Sequence, residues 1–274
     1  MKTHSLGSLL VLVLALQLVS CNSKKKESAQ TTPAASVIPS ISFDVVATHA
    51  HDTTSFTEGL LMHNGKLYES TGSPLEMENT NSVVGIVDLQ TGKIDAKVEI
   101  NRAIFGEGIT FLNNKLYQLT YEAKVGYIYN AETFKKIGEF PLPGKEGWGM
   151  TTDGTHLIMS DGTDKILYLD SVSLKPVKTL LVQDGNGSVK NVNELEYIKG
   201  YIYANVYTTN YIIKIDPATG RVQGRLDLST LTRNARSQNR HALELNGIAY
   251  DSATGNVYVT GKFWPNTYAI RFSH

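Results

Sequence analysis

From residue 41 to residue 272, apolar and polar positions alternate in short runs that end in tight polar turns, with no helical spacing between them. The turns are Asn64-Gly65, Asn113-Asn114, Asp153-Gly154, Lys199-Gly200 and Thr254-Gly255-Asn256. Such pairs suit hairpins, because Asn, Asp and Gly tolerate positive φ. Each turn follows one of five related segments: Phe56-Thr57-Glu58-Gly59-Leu60, Phe105-Gly106-Glu107-Gly108-Ile109, Gly147-Trp148-Gly149-Met150, Val192-Asn193-Glu194-Leu195 and Leu245-Asn246-Gly247-Ile248. A second strand rich in Tyr and aliphatics comes next, as in Leu116-Tyr117 and Tyr201-Ile202-Tyr203. Third strands include Ile86-Val87-Asp88 and Ile166-Leu167-Tyr168-Leu169-Asp170, and fourth strands include 136–142 and 222–228. A repeat of about 40 to 50 residues is the spacing of propellers and solenoids. Four strands per unit predict an all-β fold, a five-bladed β-propeller.

The fifth unit reaches a third strand at Tyr268-Ala269-Ile270-Arg271-Phe272 and has no fourth. The strand-like run from Ile41 to Thr48 precedes the first unit and can fill the gap, joining the last blade and removing an open sheet edge. The polar segment from Ser229 to His241 lengthens the fourth unit and is expected to be a surface loop with one helical turn.

Ahead of the repeats, Lys2 and the apolar run Leu6–Leu18 have signal-peptide character, too short for a comfortable membrane span. Leu18-Val19-Ser20-Cys21 matches the lipobox at which bacterial lipoproteins are cleaved and acylated on cysteine. The expected organisation is a signal peptide over 1–20, a flexible tether over 21–40 rich in Ser, Thr, Ala and Pro, and a propeller over 41–274. The expected location is the periplasmic or cell-surface face of a bacterial membrane, with membrane contact only through lipid on Cys21. Cys21 is the single cysteine, which excludes intrachain disulfides and cysteine-cluster metal sites. Lysine plus arginine and aspartate plus glutamate both number 26, so no field steers the chain toward nucleic acid. A monomer is expected.

In a propeller the first strand of each blade lines the central channel, so Glu58, Glu107, Trp148, Asn193 and Asn246 are expected to converge at its mouth. Two carboxylates there raise one another's pKa, as a group exchanging protons near neutrality requires. His49 and His51 share a strand face, and His51-Asp52 reads as a hydrogen-bonded turn rather than a metal site. No Gly-x-Ser-x-Gly elbow, phosphate loop or zinc-spaced histidine pair is present. On the residues alone, an acid-base enzyme, a binding propeller and a metal-dependent propeller hydrolase with channel Glu and Asn as ligands all stay open.

The order of motifs narrows this. His51-Asp52, the segments opening at Phe56, Phe105 and Gly147, Asn193-Glu194-Leu195-Glu196-Tyr197, Asn205-Val206-Tyr207-Thr208, Asn246-Gly247-Ile248-Ala249 and Thr260-Gly261-Lys262-Phe263-Trp264-Pro265 together resemble the plant and bacterial propeller-type glutaminyl-peptide cyclotransferases. The resemblance runs from about Val45 to Phe272. It implies conversion of an N-terminal glutamine of a peptide to pyroglutamate with release of ammonia, without a cofactor or metal. By the same resemblance Glu107 matches the acid-base carboxylate, and Glu58, at the same repeat position, is expected as a second catalytic carboxylate beside it. Phe56, Phe105, Tyr121, Trp148, Asn193, Tyr207, Lys262 and Trp264 are the implied pocket residues. The family commonly has Gln at Glu58 and Trp at Tyr121 and Tyr207, which bears on substrate preference more than on reaction.

Overall fold

The computed structural model describes residues 37–274; the signal-peptide segment, Cys21 and the tether up to residue 36 lie outside the described residues. Five four-stranded antiparallel sheets follow one another along the chain, spanning 57–99, 106–141, 150–181, 192–227 and 245–272, the last completed by Phe43–Ala50. In the first four sheets the order follows the sequence, so these blades are meanders, and in the fifth the strand 43–50 takes the outer place. First strands of consecutive blades touch, and that of the fifth touches that of the first, which closes the ring. The interior consists of five apolar layers, most of them shared between adjacent blades: Leu119 and Met159 belong to one, Ile158 and Ala204 to the next. Burial of these faces is the main force holding blade to blade.

The missing strand is supplied as the pattern predicts. Phe43 pairs with Phe272, Thr48 with Tyr268 and Ala50 with Asn266, and one bulge falls between Val45 and Ala47. The end of the segment expected as a tether over 21–40 is already engaged, however. Pro39 O accepts from Arg225 N (2.9 Å) and Ile41 N donates to Arg225 O (2.8 Å), so the incoming chain first clips onto the outer strand of blade 4. Beyond the strand, buried His51 donates from Nδ1 to Trp264 O (2.7 Å) and sets Nε2 3.1 Å from Glu69 Oε1. Asp52 Oδ1 accepts from Thr54 N (2.9 Å), the local turn expected there. His51 is therefore a tie between blades 5 and 1.

The 229–241 segment departs from expectation. Ser229–Gln238 is a ten-residue α-helix. Leu231 and Ala235, four apart, fall on one face and enter the core of blades 4 and 5. That face is only two residues wide and is hidden among polar neighbours, so the periodicity is faint. A short hairpin, Gln183–Asp184 with Gly187–Ser188, also projects between blades 3 and 4.

Candidate active site

At the ring's centre the backbones approach so closely that four of the five blades keep glycine there. A Cβ on Gly108 would lie 2.5 Å from Met150 N, and Gly59, Gly149 and Gly247 occupy the equivalent places. This is why the repeat keeps glycine directly after Glu58, Glu107 and Trp148. In blade 4 the position carries Glu194, whose side chain crosses the axis to accept from Leu60 N (3.2 Å) of blade 1.

The residues just before these positions, and the loops beyond them, enclose a cavity of about 630 Å³, a volume typical of small-ligand sites. Its wall is a nearly continuous ring of half-buried aromatics contributed blade by blade. Phe56 meets Phe105 with ring centroids 5.7 Å apart, Phe105 meets Tyr121 at 5.8 Å, Tyr121 meets Trp148 at 6.5 Å and Trp148 meets Tyr207 at 5.6 Å. The buried Lys262 closes the circle, its Nζ 5.3 Å from the Tyr207 centroid and 4.4 Å from that of Phe56.

Inside the ring the two glutamates are not equivalent. Glu58, 3% exposed, has both oxygens engaged: Lys262 Nζ donates to Oε1 (2.7 Å) and Asn246 Nδ2 to Oε2 (2.9 Å). Glu107, 5% exposed, lines the same cavity, and its Oε2 has no hydrogen-bond partner. Burial pushes the Glu58 carboxyl up to about 7, against the pull of the Lys262 ammonium. Glu107 is driven well above the usual carboxylate range by burial first and by the charge of Glu58 second. Burial alone would depress Lys262, yet Glu58 and Glu107 together raise it, so its ammonium persists. Asn193 also lines the cavity, with a buried Oδ1 lacking a partner. The arrangement can hold a cation, exchange protons through Glu107 and offer donors to a developing anion.

The model of the glutamine cyclotransferase family matches residues 12–272. The chain belongs to this family. A glutaminyl-peptide cyclotransferase of Arabidopsis thaliana is 37% identical over 230 residues, covering 83% of this chain and 70% of the plant protein. The crystal structure of Myxococcus xanthus glutaminyl cyclase superposes with a TM-score of 0.78 at 29% identity, covering 86% of this chain and 99% of that one.

Two family-motif positions sit elsewhere than sequence order suggests. Trp264 is wholly buried, packs in the core of blades 4 and 5, and donates from Nε1 to Leu243 O (3.1 Å). Phe263 causes this: its φ of 60° reverses the chain, so Phe263 packs behind Phe56 of the cavity wall and Trp264 turns inward over Gly261. Asn246 stands behind Glu58 instead of facing the cavity, and its Nδ2 also binds Thr57 O (3.0 Å). Just outside the cavity lining, sequence reasoning missed Glu146, whose Oε2 accepts from Trp148 Nε1 (2.9 Å) and fixes the indole plane. Its proximity to Trp148 was the available signal. Phe263, outside the cavity but packed edge-on against Phe56 at 5.3 Å, supports the wall where Trp264 was expected.

Proposed function

We propose that this chain is a glutaminyl-peptide cyclotransferase in which Glu107 carries the protons. The α-nitrogen of an N-terminal glutamine attacks the γ-carboxamide carbon of the same residue. A lactam C–N bond forms, the bond to the carboxamide nitrogen breaks, and ammonia leaves. Because both reacting groups belong to one residue, the cavity has mainly to hold a folded conformer, and the aromatic ring of Phe56, Phe105, Tyr121, Trp148 and Tyr207 does so. In the empty cavity burial and the neighbouring Glu58 both favour the protonated form of Glu107. An arriving α-ammonium favours its ionised form, so the same carboxylate becomes a base when substrate enters. It takes a proton from the nitrogen that attacks and returns one to the nitrogen that departs. Lys262 and Asn193 line the cavity where the carboxamide oxygen gathers negative charge.

The observation that carries this reading is the asymmetry of the two carboxylates: Glu58 saturated by Lys262 and Asn246, Glu107 in the cavity with an unused oxygen. The same saturation disfavours Glu58 as a ligand of a channel cation, since an ammonium already occupies it. Mass measurement on a Gln-initiated peptide should show loss of ammonia, unaffected by chelator. An unchanged mass sinks the reading, and loss of turnover on chelation moves it to a metal-dependent reaction.

The Leu18-Val19-Ser20-Cys21 run supports export as a lipoprotein, with the propeller a monomer held at a membrane face by acylated Cys21. Cys21→Ser should stop partitioning into the detergent phase of membrane extracts. Unchanged partitioning would dismiss the anchor.

A further inference from the structure

A second cleft of about 620 Å³ lies beside the aromatic cavity, and Glu76 lines both. The partition between them is the Phe56–Phe263 pair, since Phe56 lines the first and Phe263 the second. This partition is firmly set. Phe263 N donates to Ser55 O (2.8 Å) and Asn239 Nδ2 to Phe263 O (2.8 Å), which hold the residue in its left-handed conformation. A left-handed bulky residue is costly and persists only where its surroundings impose it.

The wall common to both cavities is equally built. Residues 74–80 form a loop without regular structure, yet Arg102 staples it through three carbonyls. Nη2 donates to Met77 O (2.6 Å) and Pro74 O (3.1 Å), and Nε to Thr80 O (3.2 Å). Thr80 Oγ1 adds a bond to Met77 O (2.7 Å). A loop fixed in this way is a preformed surface that needs little ordering when a ligand arrives.

A peptide whose first residue fills the aromatic cavity must continue outward, because Glu194 and Glu196 obstruct the channel below. Glu196 accepts from Tyr250 N (2.8 Å) of blade 5 and Thr151 Oγ1 (3.2 Å) of blade 3. The outward path over Glu76 leads into the second cleft, where Glu78 stands on the loop side and exposed Arg240 and His241 line the opposite side, contributed by the segment after the helix. We propose that this cleft binds the peptide residues that follow the glutamine, with Arg240 facing an acidic side chain there. This rests on the cyclotransferase reading of the first cavity and extends it to substrate choice.

The test uses three amidated substrates: a glutaminyl dipeptide, a neutral Gln-initiated pentapeptide, and the same pentapeptide with aspartate at its third and fourth positions. The readout is kcat/KM relative to the dipeptide in the same enzyme. In the unaltered protein the ratio should be about tenfold for the neutral pentapeptide and severalfold higher again for the acidic one. That last gain should fade as salt rises, as expected of an exposed pair, and should vanish in Arg240→Ala. A pentapeptide ratio near one overturns the cleft as a peptide site. An acidic preference untouched by Arg240→Ala overturns the role of Arg240. Failure to cyclise even the dipeptide counts against the cyclotransferase reading itself, which separates the two outcomes.

Discussion

Four glutamates stand around the axis of the propeller, two at the mouth and two deeper, with Glu58, Glu107 and Glu194 buried and Glu196 half-buried, and their comparison is instructive. Burial raises all four: Glu58 to about 7, Glu196 to about 8, and Glu107 and Glu194 well above the ordinary range. The deep pair bridges blades, Glu194 accepting from Leu60 N and Glu196 from Tyr250 N. The mouth pair borders an aromatic cavity and a buried ammonium. A perturbed carboxyl is thus no signature of chemistry in this fold. Access to a ligand-sized space separates Glu107 from Glu194, although each has an oxygen without a partner.

The comparison breaks most readily at Glu107. Glu107→Gln keeps shape and hydrogen-bonding capacity and removes proton exchange, so kcat should fall roughly a hundredfold or more with KM little changed and melting temperature held. Near-normal turnover would return Glu107 to the structural class of Glu194. The reverse holds for the deep pair. Glu194→Leu leaves the Leu60 amide unpaired and should cost about 1–3 kcal/mol, lowering the melting temperature by several degrees while the folded protein keeps its kcat. Lost turnover with intact stability would put Glu194 in the catalytic machinery.

Two smaller effects sharpen the contrast through pH. Glu58→Gln removes a negative neighbour of Glu107 and frees Lys262, and both changes lower the Glu107 pKa. Substantial activity should survive, with the acidic limb of kcat/KM moved to lower pH. A limb that stays in place would show the two carboxylates to be uncoupled. Glu196 holds its proton in the folded state up to about 8, whereas the unfolded chain releases it near 4.5. The folded form binds more protons between those values, so stability is full below about 4.5 and declines as pH rises toward 8. Glu196→Gln should flatten that decline in thermal melts by a few degrees; an identical slope in both proteins would show that Glu196 does not titrate there.

Much of this was legible because close packing at the axis constrains sequence strongly. Only glycine fits where Gly108 meets Met150 N, so the Glu-Gly and Trp-Gly steps mark the channel without reference to distant residues. The closing strand was visible because an incomplete fifth repeat and a spare leading strand have one economical solution. Asn246 and Trp264 were misplaced for local reasons. A positive φ at Phe263 inverts the two-residue alternation on which strand reading depends. Asn246 precedes Gly247, itself at φ 109°, and the side chain turns to Thr57 and Glu58 of the neighbouring blade. The helix at Ser229–Gln238 was hidden because its two buried apolar residues, Leu231 and Ala235, make too narrow a stripe.

The pairing of Phe43 with Phe272 also has a mechanical side. The two strands run antiparallel, so the start of one and the finish of the other emerge at the same end of blade 5. A load applied between those points peels the ladder one pair at a time and never shears its seven pairs together. Resistance at the start of that peel falls to the two bonds between Arg225 and the chain at Pro39 and Ile41. A pull on residue 37 and the chain after it would therefore meet its first resistance on blade 4, one blade away from the seam that closes the ring.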